Sequence, residues 1–136
     1  DVFQDNDYTK EEMKMLWETQ KIMGDQSILV NATAVRVPVF YGHAEAIHLE
    51  TRSPIDAQHV KELLADAPGV TVYDGNEQFP TQVSSASGND IVHVGRIRND
   101  ITHPCGLNLW VVSDNIRKGA ATNSIQIAET LIRDYL

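Results

Sequence analysis

Cysteine is almost absent from the 136 residues, since Cys105 has no second thiol in the chain with which to form a disulfide. A single unpaired thiol is typical of a reducing compartment, which predicts a cytoplasmic protein. Long apolar runs are also missing. No stretch approaches the roughly 20 residues that span a bilayer, and the acidic start DVFQDNDYTKEE has no targeting region. We therefore expect no membrane partner.

Basic residues are too few and too scattered for nucleic-acid binding. The formal net charge is -8, and Lys and Arg are dispersed among acidic residues instead of forming the basic stripe that a phosphate backbone requires. Neither GxGxxG nor GxxxxGKS/T occurs, so the sequence lacks the usual dinucleotide and P-loop phosphate cradles. Any nucleotide cofactor must then be held mainly outside these residues.

The histidines and the cysteine do not form a metal-binding or nucleophilic pattern. His43 and His48 are five residues apart, which places them on opposite faces of a regular strand, and HExxH does not occur. Cys105 has only His103 as a nearby candidate base. We therefore expect no metal, and we interpret Cys105 as incidental.

The apolar residues, 42% of the chain, suffice for the core of one domain. Thr9 and Glu12 form a capping-box pattern at the start of a predicted first helix. Asp56 can cap a second helix, and Ser113 or Asp114 can cap the entry to a third. The predicted helices cover residues 10–23, the stretch after Asp56, and residues 118–136.

Alternation with a period of two predicts strands in residues 34–41, 44–51, 70–75, 91–100 and 107–115. Pro38 has no N–H, so the first of these should lie at a sheet edge or carry a bulge. The polar, turn-rich residues 76–88 are predicted to form an exposed loop. Several connections are too short for a helical crossover. The fold class is therefore α+β, with a mixed, largely antiparallel sheet and helices packed on one face.

Three charged residues could carry chemistry. Glu11 and Lys14 share one face of the first helix because they are three residues apart. They form either a solvated ion-pair face or a site that presents an acceptor and a cation to a zwitterionic or phosphorylated ligand. Arg36, predicted to lie mid-strand, either pairs with a neighbouring carboxylate or clamps a substrate carboxylate with its planar fork.

Two further candidates lie beside glycines. His43 follows Gly42 at a predicted bend, where an imidazole can meet solvent and substrate and transfer protons around neutrality. Asn115 faces the entry to the last helix, and the small residues that follow Lys118 allow either close helix packing or close approach of a ligand. Both interpretations of that segment stay open at this point.

Four stretches occur together in one order: EEMKMLWETQKIM, AVRVPVFYGHAEAIHLET, VGRIRND and GLNLWVVSDNIRKGAATNSIQIAETL. Together they resemble the aspartate-semialdehyde dehydrogenases over nearly the whole chain. The helix EExxK, the RVPVxxxH segment and the SDNxxKGAAxNxxQ helix carry the resemblance most specifically, because they match in order and spacing.

The resemblance implies an NADP-dependent enzyme that reductively dephosphorylates aspartyl β-phosphate to aspartate β-semialdehyde and phosphate, through a thioester on a cysteine. That step feeds lysine, methionine and threonine synthesis. By motif, Glu11 would bind the substrate amino group, Lys14 the phosphate and Arg36 the α-carboxylate. His43 would be the acid/base partner of the cysteine, and Asn115 would contact the cofactor.

The sequence departs from the family in what it lacks. The family's Gly-rich NADP-binding Rossmann domain and its Asn-Cys nucleophile do not occur here, and Cys105 does not match the nucleophile's motif. The resemblance thus makes residues 1–136 the C-terminal part of the substrate and dimerisation domain of a larger enzyme. We expect the isolated chain to be inactive and to self-associate as a homodimer or higher oligomer.

Two other functions fit the sequence less well. One is an N-acetylglutamyl-phosphate reductase-like domain, but an acetylated amide carries no charge to complement Glu11. The other is a noncatalytic dimerisation paralogue, against which the presence of Arg36 and His43 argues.

Overall fold

The computed structural model describes residues 2–75 and 78–136. The chain divides into two compact units, residues 1–38 and residues 39–136. Within the described ranges, no helix is both long enough and apolar enough to cross a membrane.

The first unit contains α1, Lys10–Met23, with the bounds that the sequence predicted. The Thr9 hydroxyl accepts a hydrogen bond from the Glu12 backbone N–H, and the Glu12 carboxylate accepts one from the Thr9 N–H, at 3.2 and 2.7 Å. This reciprocal cap satisfies two of the N–H groups that a helix start leaves unpaired. Gly24 ends the helix at φ 65°, a left-handed conformation that costs glycine little.

The second unit is built on a four-stranded sheet with the order β1-β4-β3-β2. Its strands are β1 His43–Glu50, β2 Val70–Tyr73, β3 Val92–Asn99 and β4 Gly106–Ser113. β4 pairs antiparallel with both β1 and β3, and β2 pairs parallel with β3. The expected α+β class with a mixed, largely antiparallel sheet is confirmed.

The strand predicted over residues 34–41 is wrong. These residues form no sheet ladder, whereas the next predicted strand, residues 44–51, is found as β1, His43–Glu50. Alternation shows which residues would share a face but does not supply a partner strand, and Pro38 has no N–H to donate to one. Arg36 therefore lies in an irregular segment rather than in mid-strand.

One face of the sheet is covered by α2, Ala57–Ala65, whose first turn is capped by Asp56. The Asp56 carboxylate accepts hydrogen bonds from the backbone of Gln58 and His59 at 2.9 and 3.3 Å. The core on this face centres on Val94, Ile97 and Leu107, and the α2 side chains Val60 and Leu64 pack against it. This is the helix-covered face that the sequence predicted.

The other face carries residues 78–91, which include a π-helical turn at Gln82–Ala86. Pro80 and Ala86 are buried, and the Trp110 indole donates a hydrogen bond to the Pro80 carbonyl at 2.9 Å. The prediction of an exposed loop over residues 76–88 is therefore correct only in part: residues 78, 79, 83, 84, 87 and 88 are exposed, but Pro80 and Ala86 are buried and Gln82–Ala86 is helical. Asn76 and Glu77 lie outside the described residues. The polar composition of the segment does not indicate this packing, because only two small apolar residues of its described part, Pro80 and Ala86, are buried against the sheet.

The C-terminal stretch forms a second π-helical turn, Arg117–Ala121, that continues into α3, Thr122–Tyr135. The predicted helix is thus confirmed, with its first turn wider than an α-turn. Its apolar side chains are largely exposed: Ile125, Ile127, Leu131, Ile132 and Tyr135.

Leu107→Ala should destabilise the chain by about 2–5 kcal/mol, because Leu107 is 1% exposed within the core and truncation leaves a cavity there. Leu63→Ala is the matched control, since Leu63 is 56% exposed and should cost about 0.5 kcal/mol or less. Urea unfolding followed by circular dichroism measures both. Equal losses would contradict the assignment of this core.

Candidate functional site

Glu11 and Lys14 lie one turn apart on α1 and contact each other. The Lys14 Nζ is 3.5 Å from the Glu11 Oε1, and the two side chains are 41% and 50% exposed. An ion pair this exposed is weak because water screens it. A ligand that carries both an ammonium and an anionic group can therefore compete with it for each partner.

Glu12 joins the segment that carries Arg36 to the start of α1. Besides capping Thr9, its carboxylate accepts a hydrogen bond from the Ala34 backbone N–H at 2.9 Å. The Thr9 and Ala34 backbone bonds hold the pKa of Glu12 below its usual range, against a smaller opposing effect of burial. Arg36 lies two residues beyond Ala34 and is exposed. The first unit thus contains Glu11, Lys14 and Arg36, and the Glu12 carboxylate hydrogen-bonds to the two segments that carry them.

The turn at Gly42 lies against the residues that follow β4. His43 pairs with Ser113 in the antiparallel register of β1 and β4, so the residue before one strand must meet the residues after the other. The Gly42 N–H accordingly donates a hydrogen bond to the Asn115 Oδ1 at 3.1 Å. The structure therefore brings His43 and Asn115, predicted as separate candidates, to the same end of the sheet.

Gly42 itself cannot carry a side chain without strain. Its φ is 92°, and a Cβ atom there would lie 2.8 Å from the Gln82 Cβ. Glycine is needed both for the left-handed backbone and for this close approach. The π-helical turn at Gln82–Ala86 thus leaves no room for a side chain at the residue before β1.

His43 has a carboxylate neighbour that the sequence analysis did not single out. Its Nε2 is 3.2 Å from the Glu45 Oε1, and the two side chains are 52% and 48% exposed. Residues two apart on a strand share one face, so the sequence did contain the signal. Such a carboxylate can accept a hydrogen bond from the imidazole N–H and so orient the ring.

Asp114 is a buried carboxylate at the same end of the sheet. It is 4% exposed and accepts hydrogen bonds from the backbone N–H groups of Gly88, Ile116 and Arg117 at 2.8, 2.9 and 3.0 Å. The bonds from Arg117 and then Gly88 are the main cause of a pKa below the usual range for an aspartate, while burial acts in the opposite direction.

Asp90, a more exposed carboxylate, also bonds to the segment that follows Asp114. The Arg117 guanidinium grips Asp90 with both Nε and a terminal nitrogen at 2.7 Å each, and the Thr122 hydroxyl donates to Asp90 at 2.7 Å. These bonds, Arg117 first, lower the pKa of Asp90 to about 2, so the pair is fully charged at neutral pH.

Cys105 lies far from this arrangement. It directly precedes β4, at the end of that strand opposite to Ser113, and its backbone N–H donates to His103 Nδ1 at 3.2 Å. Across the described ranges, no three His, Cys, Asp or Glu side chains are grouped so as to hold a metal ion.

Residues 1–118 match the profile of the semialdehyde dehydrogenase dimerisation domain. The chain belongs to this family. Aspartate-semialdehyde dehydrogenases of Shewanella violacea and Legionella pneumophila are 66% identical over 135 residues and 64% identical over 138 residues. These alignments cover 99% and 100% of this chain, but 40% of each relative. The family resemblance seen in the sequence is confirmed.

Solved structures of the family share the fold. Aspartate semialdehyde dehydrogenase II from Vibrio cholerae, complexed with ASA, superposes with a TM-score of 0.95 at 65% identity, over 100% of this chain and 40% of that one. A probable aspartate-semialdehyde dehydrogenase from Pseudomonas aeruginosa gives a TM-score of 0.90 at 34% identity with the same coverage. The chain thus spans about 40% of the length of the relatives it matches.

Gly42→Ala should destabilise the chain more than Gly88→Ala. Both glycines have a positive φ, 92° and 76°, but only Gly42 has an atom closer than 4 Å to an added Cβ. Each alanine carries a conformational cost of about 1–2 kcal/mol, and Gly42→Ala adds about 1–3 kcal/mol for overpacking against Gln82. Thermal and urea unfolding test this; equal losses would show that the close approach to Gln82 relaxes without strain.

Proposed function

We propose that this chain is the substrate-binding and dimerisation part of an NADP-dependent aspartate-semialdehyde dehydrogenase. The proposed reaction converts aspartyl β-phosphate, with NADPH, to aspartate β-semialdehyde, phosphate and NADP, a step toward lysine, methionine and threonine. The observation that carries the proposal is that relatives of that name align with 99% and 100% of this chain, at 66% and 64% identity. The NADP-binding domain and the catalytic cysteine belong to the part of the enzyme that these residues do not span.

The first unit supplies groups that fit an amino-acid substrate. Glu11 is a carboxylate for the ammonium group, Lys14 a compact cation for the phosphate, and Arg36 a planar fork for the α-carboxylate. The half-exposed contact between Glu11 and Lys14 balances the two charges in the absence of ligand. In the proposed complex, the ammonium and phosphate of the substrate replace that weak contact.

His43 is proposed as the acid/base partner of the cysteine nucleophile. It would accept the thiol proton, so that the thiolate attacks the carbonyl carbon of the acyl phosphate, and phosphate leaves as the thioester forms. After reduction, the aldehyde is released as the carbon–sulfur bond breaks. The Glu45 carboxylate 3.2 Å away would stabilise the imidazolium that forms in the first of these steps.

Asn115 has the chemistry for its proposed cofactor contact. Its Oδ1 is held by the Gly42 N–H and its side chain is exposed, so the amide NH₂ can donate to a carbonyl oxygen. NADPH, when bound, supplies the hydride for the reduction. The cofactor would be held mainly by the domain outside this chain.

The remaining proposals concern assembly and specificity. We propose a cytoplasmic homodimer or higher oligomer, since the family is that of a dimerisation domain. The alternative substrate, N-acetylglutamyl phosphate, would bury Glu11 against an uncharged amide, which is costly. Glu11 therefore favours a substrate with a free ammonium group.

A chimaera tests the function directly. This chain would replace the matching 40% of the Vibrio cholerae enzyme, with that parent enzyme and the isolated chain as controls. The chimaera should oxidise aspartate semialdehyde with NADP and phosphate, and the isolated chain should show no turnover because it lacks the nucleophile. A folded chimaera that is inactive, or that prefers N-acetylglutamate semialdehyde, would overturn the proposal.

Arg36→Lys and His43→Gln should fail differently in the active chimaera. Lysine keeps the charge but loses the fork, so KM for aspartate semialdehyde should rise by about 10- to 100-fold, equivalent to about 1.5–3 kcal/mol. Glutamine cannot titrate, so His43→Gln should lower kcat by roughly two to four orders of magnitude and remove one limb of the pH profile. Near-normal kcat with an unchanged pH profile would make His43 a structural residue.

A further inference from the structure

Three backbone segments meet at the end of β4, and one buried carboxylate bonds to two of them. Asp114 Oδ1 accepts from the N–H groups of Ile116 and Arg117, and Oδ2 accepts from that of Gly88. Gly88 follows the π-helical turn at Gln82–Ala86, which Gly42 approaches closely. The Gly42 turn, the segment around Gly88 and residues 114–117 are thus connected through Asp114 and its neighbours.

Asp114 fixes the turn after β4 with a charged side chain, which is unfavourable to bury. A buried carboxylate costs free energy unless donors surround it, and a neutral Asn or Ser could cap the turn without that cost. Here the three hydrogen bonds described for the Asp114 carboxylate all come from backbone N–H groups. Charge-assisted bonds of this kind fix the backbone more firmly than neutral ones.

The fixed turn contains Asn115, the residue that reaches the start of β1. Asn115 is exposed, so packing does not immobilise its side chain. Its orientation depends on its own backbone and on the 3.1 Å bond from the Gly42 N–H. Asp90 stabilises the same turn through its bidentate salt bridge with Arg117.

We propose that Asp114, supported by Asp90, is a positioning residue that holds Asn115 and, through the Gly42 N–H, the start of β1 at His43. This inference rests on the proposed function, which assigns the cofactor contact to Asn115 and proton transfer to His43. Two steps of the reaction then depend on one buried carboxylate that touches neither substrate nor cofactor.

Asp114→Asn in the active chimaera tests the inference. Asparagine keeps the size and one acceptor oxygen, but it turns an NH₂ group toward one of the backbone donors. Misplacement of Asn115 and His43 should raise KM for NADP about tenfold and lower kcat roughly tenfold, with a shift in the pH limb that His43→Gln removes.

Asp100→Asn is the matched control. Asp100 also caps a turn with its carboxylate, accepting from the Thr102 N–H and hydroxyl at 2.7 Å each, but it lies in the connection between β3 and β4, at the end of β4 opposite to Asn115. This variant should lose thermal stability while KM, kcat and the pH profile stay unchanged.

The results distinguish a failure of the role proposed for Asp114 from a failure of the roles proposed for Asn115 and His43. If Asp114→Asn lowers only the thermal stability, as Asp100→Asn does, Asp114 is structural and the inference is overturned. If Asp114→Asn does not fold, Asp90→Asn replaces it, because Asp90 belongs to a half-exposed pair. Asp90→Asn should raise KM for NADP by a few-fold, and an unchanged KM would overturn the inference. If Asn115→Ala and His43→Gln are themselves without kinetic effect, the proposed function's assignments fail first.

Discussion

The antiparallel register of β1 and β4 is the constraint on which the candidate site of the second unit depends. Because His43 lies opposite Ser113, the residues that precede β1 and those that follow β4 must emerge side by side. Hydrogen bonding along eight residue pairs fixes this register, and a slip of one residue would turn each side chain to the other face. Gly42 and Asn115 meet as a direct consequence.

Hydrogen bonds from backbone N–H groups to a carboxylate connect the chain segments that carry the candidate residues, in the first unit as in the second. Glu12 accepts from Thr9 and Ala34, and Asp114 accepts from Gly88, Ile116 and Arg117. In each case a carboxylate satisfies donors from two separate segments, and its pKa falls as a result.

One prediction failed and another held only in part, for the same physical reason, which is that composition and periodicity describe only neighbouring residues. Residues 34–41 alternate like a strand, yet a strand exists only where a partner supplies hydrogen bonds, and Pro38 removes a donor. Residues 78–88 look like an exposed loop, yet Pro80 is buried beneath the Trp110 side of the sheet. Glu45 is different, because its place on the same face as His43 follows from a spacing of two residues along a strand.

The sequence by itself determined α1, the Asp56 cap of α2 and the segments that became β1 to β4, because caps and side-chain periodicity are encoded within a few neighbouring residues. It also determined the family, since the motifs are specific in order and spacing. Only the tertiary structure decided that Glu12 reaches Ala34, that Asn115 reaches Gly42 and that Asp114 joins Gly88 to the turn after β4. Those contacts join residues 22, 73 and 26 positions apart, and no local pattern specifies which distant N–H group a carboxylate or amide oxygen will find.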